Sequence, residues 1–415
     1  MTDMLTPHFR DESVTVYHGD CLDVLAALPD VCVDSVVTDP PYGLNFMGKH
    51  WDDGAVAFDP VVWGHCLRVL KPGGHLLAFG GTRTWHRLAC AVEDAGFEMR
   101  DSIAWLFGSG FPKSMDVSKA IDKAAGAERE VTRHERVGIA SGSGNAVGGP
   151  KMVVPLCDNP ATDDAKRWAG WGTALKPAFE PVVCARKPLS GTVAGNVLAY
   201  GVGALNIDGC RVDSNNLPKA NVFTRRTQMS GDRRSGAAAG MYADGDNHNY
   251  EPHTAGRWPS NVVVDEFAAQ EIDRQSGDVR GAPGMRQIEG SVTFTVGQDI
   301  NEKRFVQGIP DSGGASRFFP TFKYQAKAPQ DERPNVNGIS HATVKPLDLM
   351  RWLVLLVTPP GGLVLEPFAG SGTTAEACIH EHMKCIAIER EADYLPLIVS
   401  RLTKPIEVGF DFNIK

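Results

Sequence analysis

Short apolar segments that alternate with helical ones constrain the fold of this chain most strongly. Four segments are rich in β-branched and aromatic residues, as buried strands are: 14–18, 31–38, 75–79 and 102–107. Between the second and third, Asp59 and Pro60 form an N-cap acid and a proline at the first helical position, which predicts a helix start. Strands that alternate with helices form parallel sheets with both faces covered. We therefore predict an α/β fold with a mostly parallel, doubly wound sheet.

The second predicted strand ends in a tetrapeptide that suits a flat ligand. Asp39-Pro40-Pro41-Tyr42 follows it directly, and the carboxyl ends of parallel strands are where open α/β sheets bind ligands. The prolines fix φ and lack N–H donors, so the turn presents carbonyl acceptors, a carboxylate and an aromatic ring. This set suits a nucleobase with an exocyclic amino group. Taken alone, the tetrapeptide could also be a strand followed by an ordinary turn.

A glycine turn much later in the chain favours the ligand-binding interpretation. The apolar strand at 364–366 leads into Gly370-Ser371-Gly372, and glycines let a backbone approach a ligand closely. Glu389 lies nineteen residues beyond Gly370, at the end of another apolar strand, where α/β nucleotide sites bind ribose hydroxyls. The dinucleotide pattern G-x-G-x-x-G is not complete. Together with the tetrapeptide, the turn and its spaced acid predict a nucleotide-type ligand at the carboxyl edge of the sheet.

With these motifs in this order, the chain resembles the amino-methylating DNA methyltransferases that use S-adenosylmethionine. In that family Asp-Pro-Pro-Tyr is the catalytic motif and Phe-x-Gly-x-Gly is the cofactor motif. Here the catalytic motif comes first, which is the circularly permuted order of the β class. Residues 341–346 also resemble the class pattern His-x-Thr-x-Lys-Pro. The resemblance covers roughly 14–110, 177–188 and 322–405, and one departure is Glu366, where aspartate is commoner.

The resemblance implies a circularly permuted, Rossmann-like methyltransferase fold with a large irregular insertion. Its implied parts are a catalytic half at 1–109, an insertion at 110–176, the last sheet strand at 177–188, a target-recognition region at 189–321 and a cofactor-binding half at 322–415. The recognition region is rich in Gly, Asn, Ser and Arg, with few periodic segments. Disordered filler is therefore the alternative there.

The resemblance also implies the roles of individual residues. Asp39 and the Pro40 carbonyl would accept the N–H bonds of an exocyclic amine, next to Pro41, while Tyr42 stacks on the flipped base. The implied cofactor-binding residues are Asp20, Thr343, Lys345, Glu366, Phe368, Gly370, Gly372 and Glu389. Two of them have alternatives, because Asp20 could be a helix N-cap and Lys345 a surface lysine before a helix.

Several features of the proposed reaction stay open at this point. The resemblance favours adenine N6 as the methylated atom, because aspartate at the first motif position is typical of adenine enzymes, whereas cytosine-N4 enzymes more often carry serine. A catalytically silent DNA-binding or regulatory protein with the same fold is the alternative from another class. Double-stranded DNA is the implied partner. A homodimer and a cognate restriction enzyme are further candidates.

The formal net charge of −8 is unusual for a protein that contacts phosphates, because phosphate binding needs clustered lysine and arginine. One cluster is nonetheless basic, and its residues are Arg225, Arg226, Arg233 and Arg234, opposed only by Asp232. We predict that this cluster contacts DNA, and a solvated basic loop is the alternative.

The composition indicates which cellular compartment to expect and whether to expect a metal site. The nine cysteines form no C-x-x-C pair, which indicates a reducing environment and argues against structural zinc. No spacing of metal ligands is present, so we expect no metal. No apolar stretch reaches membrane-spanning length and no secretory signal is visible, so we expect a cytoplasmic protein that does not enter the membrane.

Overall fold

The computed structural model describes residues 6–44, 55–108, 110, 114–130, 133–138, 151–156, 159–212, 256–280, 285–293, 299–307, 312–322, 333–341 and 343–404. The strands are β1 (Phe9–Arg10), β2 (Val14–His18), β3 (Val33–Thr38), β4 (Leu70–Phe79), β5 (Glu98–Leu106), β6 (Arg133–Gly138), β7 (Lys151–Leu156), β8 (Phe179–Arg186), β9 (Val262–Asp265), β10 (Val279–Arg280), β11 (Met285–Thr293), β12 (Asp299–Gln307), β13 (Ser312–Gly313), β14 (Thr321–Phe322), β15 (Asn335–Val336), β16 (Ile339–Ser340), β17 (Leu363–Glu366) and β18 (Lys384–Glu389). The helices are α1 (Cys21–Ala27), α2 (Pro60–Val69), α3 (Trp85–Asp94), α4 (Val117–Ala124), α5 (Asp163–Arg167), α6 (Val193–Tyr200), α7 (Glu266–Ser276), α8 (Leu347–Val357), α9 (Thr373–His380) and α10 (Leu395–Leu402).

Ten strands form one sheet, in the order β1-β2-β18-β17-β3-β4-β8-β5-β9-β14. Within it, β1 and β8 run antiparallel to their neighbours, and the other pairings are parallel. The prediction of an α/β fold with a mostly parallel sheet is therefore confirmed. Strands β17 and β18 lie between β2 and β3, so segments from both halves of the chain build the centre of the sheet together.

Helices cover both faces of this sheet, as the alternation of its side chains requires. Successive residues of a strand point to opposite faces. Val36 and Leu76 accordingly pack in a cluster with α1, α2 and α3, while Val37 and Leu77 pack in a second cluster with α8, α9 and α10. Because β3 is buried on both faces, all its residues are apolar or hydrogen-bonded. The sheet is thus doubly wound, as predicted.

The second helix begins where the sequence predicts. Asp59 is the N-cap of α2 and accepts a hydrogen bond from the Val61 amide at 2.9 Å. The helix stops at Val69 because Leu70 already pairs with Val33 as the first residue of β4. The strand predicted at 75–79 is consequently five residues longer at its amino end.

The insertion at 110–176, predicted to be irregular, contains α4, α5 and the hairpin of β6 and β7. A buried carboxylate holds the two helices together. Asp122 on α4 accepts hydrogen bonds from the amides of Ala161 and Thr162 and from the Arg129 guanidinium. These donors drive the pKa of Asp122 far below its ordinary value, against the opposing effect of burial. Val117, Ala120, Ile121 and Ala124 of α4 recur at helical spacing, a periodicity that the sequence analysis missed in this charged segment.

The sheet continues beyond β8, which the sequence analysis takes as its last strand. Strand β9 pairs in parallel with β5, and β14 pairs in parallel with β9. Strand β9 lies in the predicted recognition region, 189–321, and β14 lies at its boundary, so that region contributes to the sheet as well. Within the described ranges, none of the helices combines the length and apolar character needed to cross a bilayer.

Candidate active site

The predicted site residues lie along one edge of the sheet. Asp20 follows β2, Glu389 ends β18, Glu366 ends β17 and Asp39 follows β3, and these four strands are neighbours in that order. Because the strands are parallel, all four carboxylates come to the same edge. Glu180, near the amino end of β8, also reaches this edge because β8 runs in the opposite direction. Five acidic side chains therefore lie along this edge of the sheet.

Asp39 belongs to a closed network of four polar side chains. The Lys345 ammonium lies 2.6 Å from Asp39 Oδ2, and the Tyr42 hydroxyl donates to Asp39 Oδ1 at 3.0 Å. Both groups also contact Glu180 Oε2, the ammonium at 3.3 Å and the hydroxyl at 3.0 Å. The ammonium and the hydroxyl are 3.1 Å apart. The tetrapeptide Asp39-Pro40-Pro41-Tyr42 is thus connected to Lys345, which the resemblance places at the cofactor, and to Glu180.

The network is largely withdrawn from water, and its charges stabilise one another. The Lys345 side chain is 9% exposed, against 23% for Asp39 and 26% for Glu180. Burial alone would lower the pKa of the Lys345 ammonium, but the two carboxylates outweigh it and the pKa is raised. Burial and the same carboxylates raise the pKa of the Tyr42 phenol well above its ordinary value. Lys345 is therefore charged and can donate to both carboxylates, whereas Tyr42 is protonated and donates its single proton to Asp39 or to Glu180.

Surrounding groups fix the Tyr42 ring. The Thr84 hydroxyl donates to the Tyr42 carbonyl at 2.9 Å, and a side chain on Gly81 would come within 3.2 Å of the ring. The Lys345 ammonium lies 4.7 Å from the centre of the Phe79 ring and 5.3 Å from that of Tyr42. The Tyr42 ring is therefore held in place by its neighbours.

The glycine turn after β17 requires glycine for conformational reasons. Gly370 has φ +54° and Gly372 has φ +80°, the left-handed region that side chains disfavour. A Cβ atom on Gly372 would also lie 3.1 Å from Ile398 Cγ2. Gly372 is the N-cap of α9, so the turn brings the start of that helix to the functional edge.

Glu389 closes the glycine turn from the neighbouring strand. Its Oε2 accepts the Gly370 amide and its Oε1 accepts the Glu391 amide, both at 2.7 Å. Burial raises the pKa of Glu389 to about 7, although these two amides oppose the shift. Each carboxylate oxygen can accept a further hydrogen bond, so the group can still bind ligand hydroxyls.

Glu366 faces the protein interior. It accepts hydrogen bonds from the Thr38 hydroxyl, from the Phe368 amide at 3.0 Å and from the Thr374 hydroxyl at 2.6 Å. These bonds join the ends of β3 and β17 to the start of α9. Burial raises the pKa of Glu366 to about 8 in spite of the three donors. In this geometry its contribution to a cofactor site is to hold the turn that carries Phe368 and Gly370.

The raised pKa of Glu366 has a measurable effect on stability. The folded protein retains a proton that the unfolded chain releases near pH 4.5, so this contribution is complete below that pH and is lost as the pH rises through about 8. We expect Glu366→Gln to flatten the decline in unfolding free energy between pH 5 and pH 9. Urea unfolding across this range, with Glu98→Gln as control at the far edge of the sheet, measures the difference. Equal slopes in Glu366→Gln and wild type would contradict the assignment.

The remaining predicted cofactor residues differ in what they contact. Asp20 is the N-cap of α1 and accepts from the Leu22 amide at 2.9 Å, as its alternative interpretation expects. The Thr343 residue is exposed, and its carbonyl lies 2.5 Å from His341 Nδ1. Phe368 is half-buried, with its ring centre 6.4 Å from that of Trp63. Their roles toward a cofactor stay predictions.

The sequence analysis missed Glu180. It lies within the segment 179–186, which was recognised as a strand, but nothing in that segment shows that the strand runs antiparallel to β4. Had the direction been known, an acid at the amino end of the strand would have been placed at the functional edge.

The basic cluster of arginines at 225–234 lies outside the described residues. Among the residues that are described, no group of His, Cys, Asp or Glu side chains is arranged so that it could hold a metal ion.

Comparisons with known proteins point to one family. A family model described as DNA methylase matches residues 33–400. The type II methyltransferase M.BamHI of Bacillus amyloliquefaciens is 34% identical over 84 residues, which are 18% of this chain and 19% of that protein. M.HindIII of Haemophilus influenzae, also a type II methyltransferase, is 28% identical over 143 residues, 34% of this chain and 35% of that protein. The matched stretches therefore span less than half the length of either relative.

Solved structures of DNA methyltransferases also align along most of the chain. The M1.HpyAVI–SAM complex aligns with a TM-score of 0.38 and 14% identity, over 94% of this chain and 100% of that chain. The cytosine-N4-specific PvuII DNA methyltransferase gives a TM-score of 0.45 and 13% identity, over 96% of this chain and 90% of that chain. At these scores the alignments add no argument to the family match.

Proposed function

Because the chain belongs to the DNA methylase family of N6 and N4 amino-methyltransferases, we propose that it transfers a methyl group from S-adenosylmethionine to an exocyclic amine of a DNA base, with adenine N6 favoured. One observation supports this most directly. Asp39-Pro40-Pro41-Tyr42 follows β3, and the glycine turn follows β17, the strand that pairs with β3. The Thr38–Glu366 hydrogen bond joins the two strand ends. A base pocket and a cofactor turn are therefore adjacent.

The chemistry of the amine explains why an acceptor site is needed. An exocyclic amine is a weak nucleophile because its lone pair is delocalised into the ring. Asp39 and the Pro40 carbonyl accept its two N–H bonds, which favours a tetrahedral nitrogen with an available lone pair. Positive charge develops on that nitrogen during transfer, and the Asp39 carboxylate is aimed at it. The base must leave the duplex to reach this pocket, and stacking on Tyr42 recovers roughly 1–3 kcal/mol of that cost.

The cofactor fits the donors and acceptors of this edge. S-adenosylmethionine carries a ribose and a sulfonium cation, and when bound it supplies an electrophilic methyl group. Glu389 has acceptor capacity for ribose hydroxyls, and the left-handed Gly370 and Gly372 shape the turn between β17 and α9. The acids along the edge favour a cationic ligand. We assign the ribose to Glu389 and the sulfonium side to the turn that carries Phe368.

Product analysis tests the proposed function and the choice of base. The purified protein is incubated with methylase-free DNA and labelled S-adenosylmethionine, and the DNA is then digested to nucleosides whose masses are determined. We expect labelled N6-methyladenine, because Asp39 occupies the first motif position. Labelled N4-methylcytosine would agree with the proposed residue roles but would contradict adenine as the methylated base.

A catalytically silent DNA-binding protein would give a different result. It would yield no methylated nucleoside, and if it had also lost the cofactor site it would bind no S-adenosylmethionine at millimolar concentration. The intact Asp39, Tyr42, Gly370 and Gly372 favour the enzyme. Double-stranded DNA as substrate, a homodimer, a cognate restriction enzyme and a cytoplasmic location stay predictions.

A further inference from the structure

Both oxygens of Asp39 lie within hydrogen-bond distance of a group that can donate, although the reaction needs this carboxylate for the target amine. The Tyr42 hydroxyl binds Oδ1 and the Lys345 ammonium binds Oδ2. An Asp39–Lys345 pair by itself is neutral, so it would give little stabilisation to a nitrogen that becomes positively charged. Some other group has to balance Lys345 when the amine approaches.

Glu180 occupies the position from which it can do so. Its Oε2 lies 3.3 Å from the Lys345 ammonium and 3.0 Å from the Tyr42 hydroxyl, the same two donors that Asp39 holds. The antiparallel course of β8 brings Glu180 to this edge, and the Gly80 amide fixes the strand there by donating to the Pro181 carbonyl at 2.9 Å. The position of Glu180 is therefore set by the sheet rather than by a loose surface loop.

The charges of the network lead to a role for Glu180. Among the described residues, two carboxylates and one ammonium leave the network with a net charge of −1. We propose that Glu180 is a positioning residue for methyl transfer: it holds the Lys345 ammonium and the Tyr42 hydroxyl, so that the charge of Asp39 is available to the target amine. This inference rests on the proposed function. Glu180 need not touch the base, because it acts through Lys345 and Tyr42.

The alternative is that Glu180 only keeps the network folded. Removing one partner of a buried ion pair is often destabilising, because the other charge is left without compensation. A purely structural role would reduce the unfolding temperature and all ligand affinities together. A positioning role would reduce the transfer rate while the affinities persist, and the loss would depend on the presence of Lys345.

The test is a double-mutant cycle of Glu180→Gln and Lys345→Met, which isolates the coupling between the two side chains. Single-turnover methyl transfer to methylase-free DNA is measured at saturating S-adenosylmethionine, with separate binding assays for cofactor and DNA. Glu180→Gln should reduce the rate about 100-fold, the order of effect seen when one preorganised electrostatic group is removed. Both dissociation constants should stay within about threefold of wild type, a free-energy change below about 1 kcal/mol. In the Lys345→Met background, the same substitution should change the rate by less than about threefold, since no ammonium is left to balance.

Glu98→Gln is the matched control. Glu98 pairs with Arg186 at the other end of β8, away from the functional edge, and should transfer methyl groups at the wild-type rate. A wild-type rate in Glu180→Gln would overturn the inference, as would a 100-fold loss that persists in the Lys345→Met background. If wild-type protein yields no methylated nucleoside, the proposed function itself fails. That outcome is distinct from an active wild type with an unaffected Glu180→Gln variant.

Discussion

Replacing Asp39 by alanine should reduce methyl transfer by at least about 1,000-fold while S-adenosylmethionine still binds. The carboxylate is the charged acceptor for the amine, and removing a preorganised group of this kind costs about 10²–10³ in rate even where other acceptors remain. The substitution also leaves Lys345 with Glu180 as its remaining carboxylate in the network. Methyl incorporation measures the first effect and calorimetric titration the second.

Asp30→Ala is the control for this experiment. Asp30 precedes β3 at the opposite end and forms an exposed ion pair with Arg68, so its removal should leave transfer and binding unchanged. If Asp39→Ala loses cofactor affinity as severely as rate, the assignment of Asp39 to the amine is wrong and the residue belongs to the cofactor site. Asp39→Asn removes the charge but keeps the shape of the side chain. The methyl-transfer rate of this variant should also fall by more than about 100-fold, because an amide is a weaker acceptor than a carboxylate.

Glu389→Gln should have opposite effects on ligand binding and on stability. A hydrogen bond to a charged group contributes about 1.5–3 kcal/mol, so loss of the carboxylate should weaken S-adenosylmethionine binding by about 10- to 100-fold. At alkaline pH, the Glu389→Gln variant should be more stable than wild type. The pKa of Glu389 is about 7 in the folded protein against 4.5 ordinarily, so wild type loses stability as the pH rises through that range and glutamine does not.

Two measurements separate these effects. Calorimetric titration gives the dissociation constant, and thermal unfolding at pH 5 and pH 8.5 gives the change in stability without ligand. We expect equal unfolding temperatures near pH 5 and a higher one for Glu389→Gln at pH 8.5. Glu391→Gln is the control, because its side chain pairs with Arg390 at the surface while its backbone amide still serves Glu389. If Glu389→Gln binds the cofactor with wild-type affinity, the assignment of Glu389 to the ribose is wrong.

Local features of the fold were predictable because they depend on neighbouring residues. Strand β2 lies at the predicted residues 14–18, and Asp59 caps α2 as its position before Pro60 indicates. The glycine turn was predictable because Gly370 and Gly372 are the residue type that the left-handed conformations require. Burial on both faces of β3 agrees with the β-branched residues at four of its six positions.

Features that depend on strand order and direction were not predictable from a single sequence. Glu180 reaches the site because β8 is antiparallel, and neither composition nor periodicity encodes that direction. The pairing of Lys345 with Asp39 depends on where α8 begins relative to β3, a relation across 306 positions of the chain. Strand β9 carries a run of three valines, whereas the two-residue β14 joins the sheet through backbone hydrogen bonds that leave little trace in the side-chain pattern.

The interleaving of strands has a consequence for how this protein folds. Strands β2 and β3 are consecutive in sequence, yet β18 and β17 lie between them in the sheet, and the Thr38–Glu366 contact closes a loop of 328 positions. Closing such loops costs entropy before any contact compensates it, so contacts of this range slow folding. Until β17 and β18 arrive, β3 has an unpaired edge, which favours association with other chains. We therefore expect chains that end before β17 to aggregate, and the catalytic edge to form only in the last stage of folding.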